Sequence, residues 1–519
     1  MSVIFHKEYM FKNHPKGLLG AALSNMGERF GFYIMMAILS LFLMSKFGLE
    51  KTESTIIYGT FYALIYLLAL VGGLIADKTK KYKSTILVGL VLMAIGYLLI
   101  AIPTPTPVPD FALYLTLTCI GLFVIAFGNG LFKGNLQAVV GQMYDKPEYS
   151  SKRDVGFQIF YMFINIGALF APLIAVGIRN WWVEKNGFLY NSDLPALCHQ
   201  YLNGNLSTEA LARLTTLSAE VSKNGVPADL SQFATQYLNV FNTGFHYAFA
   251  AAIIAMLISI VIYISNKSKL PNPADRKKSD AGSAQVEMTV AEIKQRLYAL
   301  FAVFGVVIFF WFSFHQNGVT MTFFANDYTD LSKININLGF TSIEGAEIFQ
   351  FFNPFFVVFL TPVVIALFNW LKVRGKEPST PRKIAIGMGI AASAFAVLAL
   401  GSIGLPDSEA VKAAGGLPNA ARVTPMLLIG TYFILTIAEL FISPLGLSFV
   451  SKVAPPKYQG IMQGAWLGAT ALGNQLLIFG TIFYENIPIW ATWTVFVVAC
   501  VLSMSTMMMM VKWLERVAK

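Results

Sequence analysis

The sequence predicts an all-α integral membrane protein with twelve transmembrane helices arranged as two six-helix halves. Of its 519 residues, 56% are hydrophobic and only 13% are charged, whereas soluble chains carry about 25% charged residues. Apolar runs of about eighteen residues or more recur along the whole chain, and each can cross roughly 30 Å of hydrocarbon as a helix. Short polar segments separate these runs. This pattern is typical of a polytopic helical membrane protein.

The predicted spans follow directly from the apolar runs. They cover residues 17–45, 54–76, 84–103, 111–143, 155–180, 243–265, 297–325, 345–371, 384–404, 424–450, 459–483 and 488–511. The N-terminal text "MSVIFHKEYMFKNHPKG" has no short apolar core followed by a small-residue cleavage site, so no cleavable signal is expected. With a cytoplasmic N-terminus, about 27 of the 38 Lys and Arg residues lie on the cytoplasmic side. This asymmetry predicts a multi-pass protein of the cytoplasmic (inner) membrane with both termini in the cytoplasm.

The net charge of +10 has the same explanation and predicts no nucleic-acid partner. The basic cluster Arg276, Lys277 and Lys278 is interpreted as part of the topology signal, and contact with anionic lipid is the alternative. Cys119 and Cys500 fall in spans and Cys198 falls outside them, so the sequence offers no disulfide framework.

Two long polar stretches set the domain organisation. Residues 1–180 and 243–266 form the N-terminal six-helix half, and residues 297–519 form the C-terminal half. Residues 181–242 lie outside the membrane and contain "STEALARLTTLSAEVSKNG", which predicts a small helical cap on the extracellular or periplasmic side. Residues 267–296 are rich in Lys, Pro, Asp and Ser and are predicted to be a cytoplasmic linker.

Twelve spans in two halves are typical of a transporter of the major facilitator type, with its site near the membrane midplane between the halves. Ionisable residues inside spans are costly and usually face the bundle interior or a wet cavity. Few occur here: Glu28 and Arg29 in span one, Lys133 in span four, His315 in span seven and Glu439 in span ten. The spans contain no nucleophile–base–orienter set, no HExxH and no metal-ligand cluster, so neither an enzyme nor a cofactor or metal site is expected.

Lys133 and Glu439 occupy matching spans, four and ten, of the two halves. A cation and an anion that face each other across a wet cavity would bind the two ends of a zwitterion. The alternative is a structural salt bridge between them, although such buried pairs contribute little to stability.

Several motifs resemble the proton-dependent oligopeptide transporter family, over nearly the whole chain. "FQIFYMFINIGALFAP" in span five resembles the family's span-five signature, and "GGLIADKTKKYKST" resembles the loop between spans two and three. "GNGLFKGN" is similar to the span-four lysine motif. "FFNPFFVVFLTP", "AELFISPLGLSFVSKVAP" and "GAWLGATALGNQL" resemble spans eight, ten and eleven. Together these motifs identify the chain as a divergent bacterial-type member.

The resemblance implies secondary active transport: proton-coupled uptake of di- and tripeptides by alternating access. Lys133 would bind the peptide carboxylate and Glu439 its amino terminus. The other implied roles concern the peptide backbone (Asn165, Asn353), its side-chain pockets (Tyr33, Tyr66, Trp311, Trp466, Ser443), proton coupling (Glu28, Arg29, His315) and gating (Asp77). Asn165 has the alternative of joining two helices, and the aromatic residues have the alternative of ordinary packing. Glu28 is expected to be neutralised by Lys133, and Gly128 and Gly130 to permit close helix contact.

The chain departs from the family pattern at the positions where protons and carboxylates bind. Asn25 and Met36 stand where the family has a glutamate and an arginine, and Gly134 replaces a proline. His315 replaces the span-seven glutamate; it follows Trp311 by four residues and so shares its helical face. The two extra helices that many bacterial members carry between spans six and seven are missing. An alternative is therefore the same fold carrying another small zwitterion or anion, such as an amino acid, with altered or absent proton coupling. A membrane hydrolase or a substrate-sensing receptor is a third interpretation, and a monomer is expected.

Overall fold

The structure is a computed structural model, and it describes residues 14–150, 153–223, 225–271, 288–455 and 458–518. The basic cluster at 276–278 lies outside the described residues, as does most of the predicted linker. Long helices make up most of the described chain, because the apolar runs can satisfy their backbone groups within a membrane only as helices.

Twelve of these helices are long and apolar enough to span a membrane, which confirms the predicted number. The N-terminal half holds span 1 (Leu18–Phe47), span 2 (Lys51–Thr79), span 3 (Tyr82–Ala101), span 4 (Phe111–Met143), span 5 (Arg153–Lys185) and span 6 (Leu230–Asn266). The C-terminal half holds span 7 (Val290–Phe314, continued as Thr320–Tyr328), span 8 (Phe352–Val373), span 9 (Thr380–Gly401), span 10 (Pro425–Val453), span 11 (Gln459–Gln475 and Leu477–Asn486) and span 12 (Ile489–Val517). A β-hairpin lies between spans 7 and 8, and its two antiparallel strands, Ile336–Asn337 and Ser342–Ile343, have two residues each.

Span 6 begins thirteen residues earlier than the sequence indicated. Residues 230–242 continue the helix instead of forming a loop. Asp229 caps its start, since the carboxylate accepts the backbone N–H of Ser231 at 2.8 Å. The region between spans 5 and 6 is correspondingly shorter.

Glycines allow three helices of the N-terminal half to approach closely. A Cβ on Gly128 would lie 2.7 Å from the carbonyl oxygen of Gly89, and one on Gly130 would lie 2.4 Å from that of Leu68. A Cβ on Gly72 would also strike the backbone of Gly130. The expected role of Gly128 and Gly130 in close helix contact is therefore confirmed, and it fixes span 4 against spans 2 and 3.

The cap contains two helices, Leu194–Leu202 and Thr208–Val221. The second confirms the predicted amphipathic helix, and Ser207 caps it by accepting the backbone N–H of Ala210 at 3.1 Å. His199 joins the first helix to span 1, since its Nε2 donates to the carbonyl of Ser45 at 2.7 Å. Burial lowers the pKa of His199 below its ordinary value. The cap is thus attached to the N-terminal half.

Polar contacts join the two halves at one end of the bundle, which we call the distal face because it lies opposite the ends of spans 1 and 12 that carry the chain termini. A buried ion pair links Arg179 to Glu347. Other pairs are Lys51–Asp327 at 3.0 Å, Glu50–Lys412 at 2.6 Å, Arg422–Asp193 at 2.7 Å and the hydroxyls of Thr55 and Thr481 at 2.8 Å. Further hydrogen bonds join the halves at this face, among them Thr52 with Glu485 and Asn180 with Ser342. The distal face is therefore closed.

Two helices of the C-terminal half break at mid-bundle. Span 7 is interrupted by a short 3-10 segment, His315–Gly318, and span 11 is interrupted at Leu476. The break in span 7 frees the carbonyl of Asn317, which accepts Gln350 Nε2 at 3.0 Å and Tyr432 Oη at 2.8 Å. Neighbouring side chains thus satisfy the backbone that the break exposes, as a membrane interior requires.

Candidate functional site

Glu28 and Arg29 form a buried ion pair inside the N-terminal half, with 1% and 4% of each residue exposed. Arg29 donates from Nε and Nη2 to the two carboxylate oxygens of Glu28, each at 2.6 Å. Asn129 of span 4 donates to Glu28 Oε1 at 2.6 Å. The expectation that Lys133 neutralises Glu28 is wrong in this conformation, because the adjacent guanidinium wraps back to the carboxylate in bidentate geometry.

Lys133 stands without an ion-pair partner in the described part of the chain. Its ammonium lies 4.9 Å from the centre of the Tyr66 ring, a cation–π contact between spans 4 and 2. Glu28 and Arg29 are within electrostatic range of it and act on it with opposite signs. Lys133 is only partly buried. It is therefore a cation that is available to a ligand.

Glu439 is held by span 8 rather than by a cation. Asn353 Nδ2 donates to Glu439 Oε2 at 2.8 Å and to Thr436 Oγ1 at 3.2 Å. Among the residues described, no Lys, Arg or His lies within salt-bridge distance of Glu439. The alternative of a structural salt bridge between Lys133 and Glu439 is therefore wrong here. Asn353 orients the carboxylate and keeps its own carbonyl oxygen free.

His315 lies at the break of span 7 and contacts spans 2 and 11. Asn474 Oδ1 hydrogen-bonds to its Nδ1, and Tyr62 Oη lies 3.3 Å from its Nε2. The Trp311 ring stacks on the imidazole with centroids 4.8 Å apart. With an amide oxygen at Nδ1 and a hydroxyl at Nε2, the neutral ring carries its proton on Nδ1 and accepts the hydroxyl proton at Nε2.

The predicted pocket aromatics divide into two groups. Tyr33 and Tyr66 are partly exposed, and both lie within electrostatic range of Arg29 and Glu439. They therefore line the space between the charged groups. Trp311 and Trp466 are buried by packing: a Cβ on Gly446 would strike the Trp466 ring, and one on Gly473 would strike Trp311 Cβ.

Three further predicted residues can now be located. Asn165 Nδ2 donates to the carbonyl of Tyr161 in its own helix at 3.1 Å, so the side chain does not join two helices through this donor. Ser443 Oγ is buried without a hydrogen-bond partner. Asp77 is exposed in the last turn of span 2 and accepts a hydrogen bond from Tyr82, eleven residues along that helix from Tyr66.

The site includes residues that the sequence analysis did not single out. Tyr62, Asn129 and Asn474 contact His315 or Glu28 directly. Each was within reach of a motif already noted: Asn129 and Asn474 lie in "GNGLFKGN" and "GAWLGATALGNQL", and Tyr62 precedes Tyr66 by one helical turn. Spacing placed them near the site, but only the folded chain shows what they touch.

Two six-helix halves with embedded charges from both halves are the architecture of a membrane transporter of the major facilitator fold. The model of the POT family matches residues 83–295 and 277–492. The chain belongs to the POT family and is a membrane transporter, not an enzyme.

Named relatives and solved structures agree with this assignment. The peptide transporter YePEPT of Yersinia enterocolitica is 30% identical over 485 residues, covering 89% of this chain and 87% of the relative. The dipeptide and tripeptide permease A of Chromobacterium violaceum is 28% identical, covering 86% and 81%. A peptide transporter POT solved in complex with sulfate has the same fold, with a TM-score of 0.71 at 22% identity over 98% of this chain and 96% of that one.

Proposed function

We propose that the protein is a secondary active transporter that takes up di- and tripeptides together with protons by alternating access. One observation carries the proposal: Lys133 and Glu439 belong to different halves, and neither has an ion-pair partner among the described residues. Burying a charge without a partner is costly, so the arrangement favours a ligand that brings both missing charges. A peptide zwitterion does so with its two termini.

The remaining parts of the site suit a peptide with variable side chains. Asn165 and Asn353 offer amide groups to the peptide backbone, and Tyr33 and Tyr66 offer ring surface to its side chains. Trp311, Trp466 and Ser443 border this space. The names of the relatives, a peptide transporter and a dipeptide and tripeptide permease, support the same substrate class.

The conformation supports an inward-facing state. The distal face is closed by polar contacts, while Lys133 and Glu439 stay partly exposed. Solvent would then reach the site from the opposite face, which carries the chain termini and where Asp77 would act in gating. The basic residues place that face in the cytoplasm, so the distal face and its cap are external. We propose a monomer in the cytoplasmic membrane, in contact with lipid and without a nucleic-acid partner.

A second candidate substrate class is a small zwitterion other than a peptide. Met36 stands where the family has a second cation for the carboxylate, which reduces the positive charge of the site. A POT family transporter with the same fold has been solved in complex with 5-aminolevulinic acid, at TM-score 0.70 and 21% identity. Such a ligand would also use Lys133 and Glu439 but would leave the backbone amides unused.

The test is uptake of a labelled dipeptide into proteoliposomes under an imposed pH gradient, with unlabelled solutes as competitors. We expect accumulation above the equilibrium level, competition by dipeptides and tripeptides, and no competition by amino acids or nitrate. Thermal shift with the same solutes gives an independent readout, since ligands that bind the folded state raise its melting temperature. Stabilisation by amino acids alone would favour the second class and contradict the first.

Replacing His315 with Gln is expected to abolish gradient-driven accumulation and spare exchange of dipeptide across the membrane. Glutamine keeps the polarity of the site but cannot titrate, whereas histidine can bind a proton between pH 5 and 8. The measurement is accumulation against a gradient and counterflow in the same vesicles. Glu28→Gln is the matched variant, because Glu28 is the other candidate for the proton. A His315→Gln protein with wild-type accumulation and pH dependence would assign the proton to Glu28.

A further inference from the structure

Three tyrosines of span 2 form a continuous row on one face of the helix. Tyr58, Tyr62 and Tyr66 are spaced four residues apart, so their side chains follow one another along the helix. The ring centroids of Tyr58 and Tyr62 lie 6.0 Å apart, and those of Tyr62 and Tyr66 lie 5.7 Å apart. The row runs from the break of span 7 to Lys133, the cation proposed to bind the substrate.

Two members of this row make defined contacts with other spans. In the middle of the row, the Tyr62 ring lies 4.8 Å from the imidazole of His315, centroid to centroid, and its hydroxyl faces Nε2. At the end of the row, the Tyr66 ring lies under the ammonium of Lys133. The Tyr62–His315 contact is a mid-bundle hydrogen bond that joins the two halves. His315 and Lys133 are therefore connected through two tyrosines and not by a direct contact.

Asn474 fixes which nitrogen of His315 faces the other half. Because its amide oxygen faces Nδ1, the ring proton sits on Nδ1, and Nε2 presents its lone pair to Tyr62. The groups packed around the imidazole are Trp311 and Phe314 of its own span, Asn474 of span 11 and Tyr62 of span 2. No carboxylate, lysine or arginine in the described chain forms an ion pair with it. An incoming proton can therefore bind only at Nε2, directly against Tyr62.

We infer that Tyr62 is a positioning residue that transmits the protonation of His315 across the halves to Tyr66 and Lys133. The inference rests on the proposed proton-coupled transport and extends it. Neutral His315 accepts the Tyr62 hydroxyl proton. When Nε2 binds a proton it becomes a donor, so the Tyr62 oxygen must accept and its hydroxyl proton must turn away, toward the Tyr66 side. The neutral imidazole gains one proton and becomes an imidazolium, and no covalent bond of tyrosine breaks. This exchange of donor and acceptor alters the hydrogen bond between the halves and the position of the Tyr66 ring next to Lys133.

The test is Tyr62→Phe, which keeps the ring in the row and removes only the hydroxyl. We expect gradient-driven dipeptide accumulation to fall about tenfold, the effect of losing one hydrogen bond in the coupled state, and its pH dependence to flatten. Counterflow exchange should persist, because Tyr62 does not contact Lys133 or Glu439, the two charges proposed to bind the peptide. Tyr58→Phe is the matched control: it lies one turn away, against Gly318, and should leave the pH profile unchanged.

A double variant separates transmission from packing. Because His315→Gln leaves no accumulation to lose, the readout in that background is the rate of counterflow exchange. Adding Tyr62→Phe should leave this rate at the His315→Gln level, because both changes remove the same coupling step. Additive losses, an unchanged pH profile in Tyr62→Phe, or equal loss of exchange and accumulation would each overturn the inference. Failure of the wild-type protein to exchange dipeptide would instead overturn the proposed function, so the two failures are distinct.

Discussion

Alanine at Lys133 or Glu439 is expected to weaken dipeptide binding by about 2–4 kcal/mol, roughly a 30- to 1000-fold increase in Kd. Each truncation leaves one peptide terminus charged and unpaired in a partly dry site. The substitutions should reduce the free energy of ligand binding and not the stability of the fold, since neither side chain has an ion-pair partner to lose in the described residues. The measurement is binding of a labelled dipeptide to purified protein, with melting temperature as the check on folding.

Peptides with one blocked terminus test which side chain, Lys133 or Glu439, binds which end of the peptide. N-acetylation of the dipeptide should weaken binding to the wild-type protein and add little in Glu439→Ala, where the anion is already gone. Amidation of the carboxyl terminus should behave in the same way with Lys133→Ala. Trp493→Phe serves as a control at a buried position of span 12 outside the proposed site, and it should keep the wild-type difference between free and blocked peptides. If both alanine variants bind free and blocked peptides as the wild type does, zwitterion recognition is wrong.

The spans and the charged site could be predicted because both depend on properties of single residues. Hydrophobic length fixes twelve helices in a membrane, and the cost of an embedded charge directs Lys133 and Glu439 toward the interior. The start of span 6 was missed for the same reason. Residues 230–242 are too polar to count as membrane core, although a helix capped at Asp229 runs through them.

The partners within the site could not be predicted, because they depend on side-chain conformation and on contacts between distant spans. Adjacent helical residues diverge by about 100° and so need not pair with each other, yet the long Arg29 side chain returns to the Glu28 carboxylate. Likewise, the substitution of the span-seven glutamate by His315 was evident from sequence, but its links to Tyr62 and Asn474 were not. The family resemblance identified Glu28, Arg29 and His315 as site positions, and the structure shows which side chains they contact.

The distal face shows how these contacts bear on alternating access. Opening it requires the halves to separate, and the contacts there differ greatly in burial. The Arg179 and Glu347 side chains are 1% and 0% exposed, whereas those of Lys412 and Glu50 are 48% and 59% exposed. Exposed pairs contribute about 1 kcal/mol or less, but breaking a buried pair costs about 3–5 kcal/mol because the remaining charge is stranded. The closed state therefore depends mainly on the buried pairs, Arg179–Glu347 and Arg422–Asp193, and the side chains of the second pair are 4% and 7% exposed.

Glu347→Ala is accordingly expected to shift the equilibrium toward a state open at the distal face by roughly 150- to 5000-fold. Arg179 would keep its bonds to Asn180 Oδ1 at 3.0 Å and to the Glu344 carbonyl at 3.1 Å, but it would lack a counter-charge until the halves separate and water reaches it. The measurement is the distance distribution between spin labels at Gln232 and Asn419, two exposed distal positions on different halves, in a variant without the three native cysteines. A longer-distance population should appear in Glu347→Ala.

Two variants decide whether the buried charge is the cause. Lys412→Ala breaks the exposed pair on the same face and should leave the distances almost unchanged. Arg179→Met combined with Glu347→Leu removes both charges and fills the space with apolar atoms, so it should restore most of the closed population, because a well-packed apolar pair commonly replaces a buried ion pair without loss. Equal opening in Lys412→Ala and Glu347→Ala would mean that all distal contacts act together, and no opening in Glu347→Ala would remove this pair from the gate. Opening that persists in the double variant would attribute closure to the hydrogen bonds of Arg179 rather than to its charge.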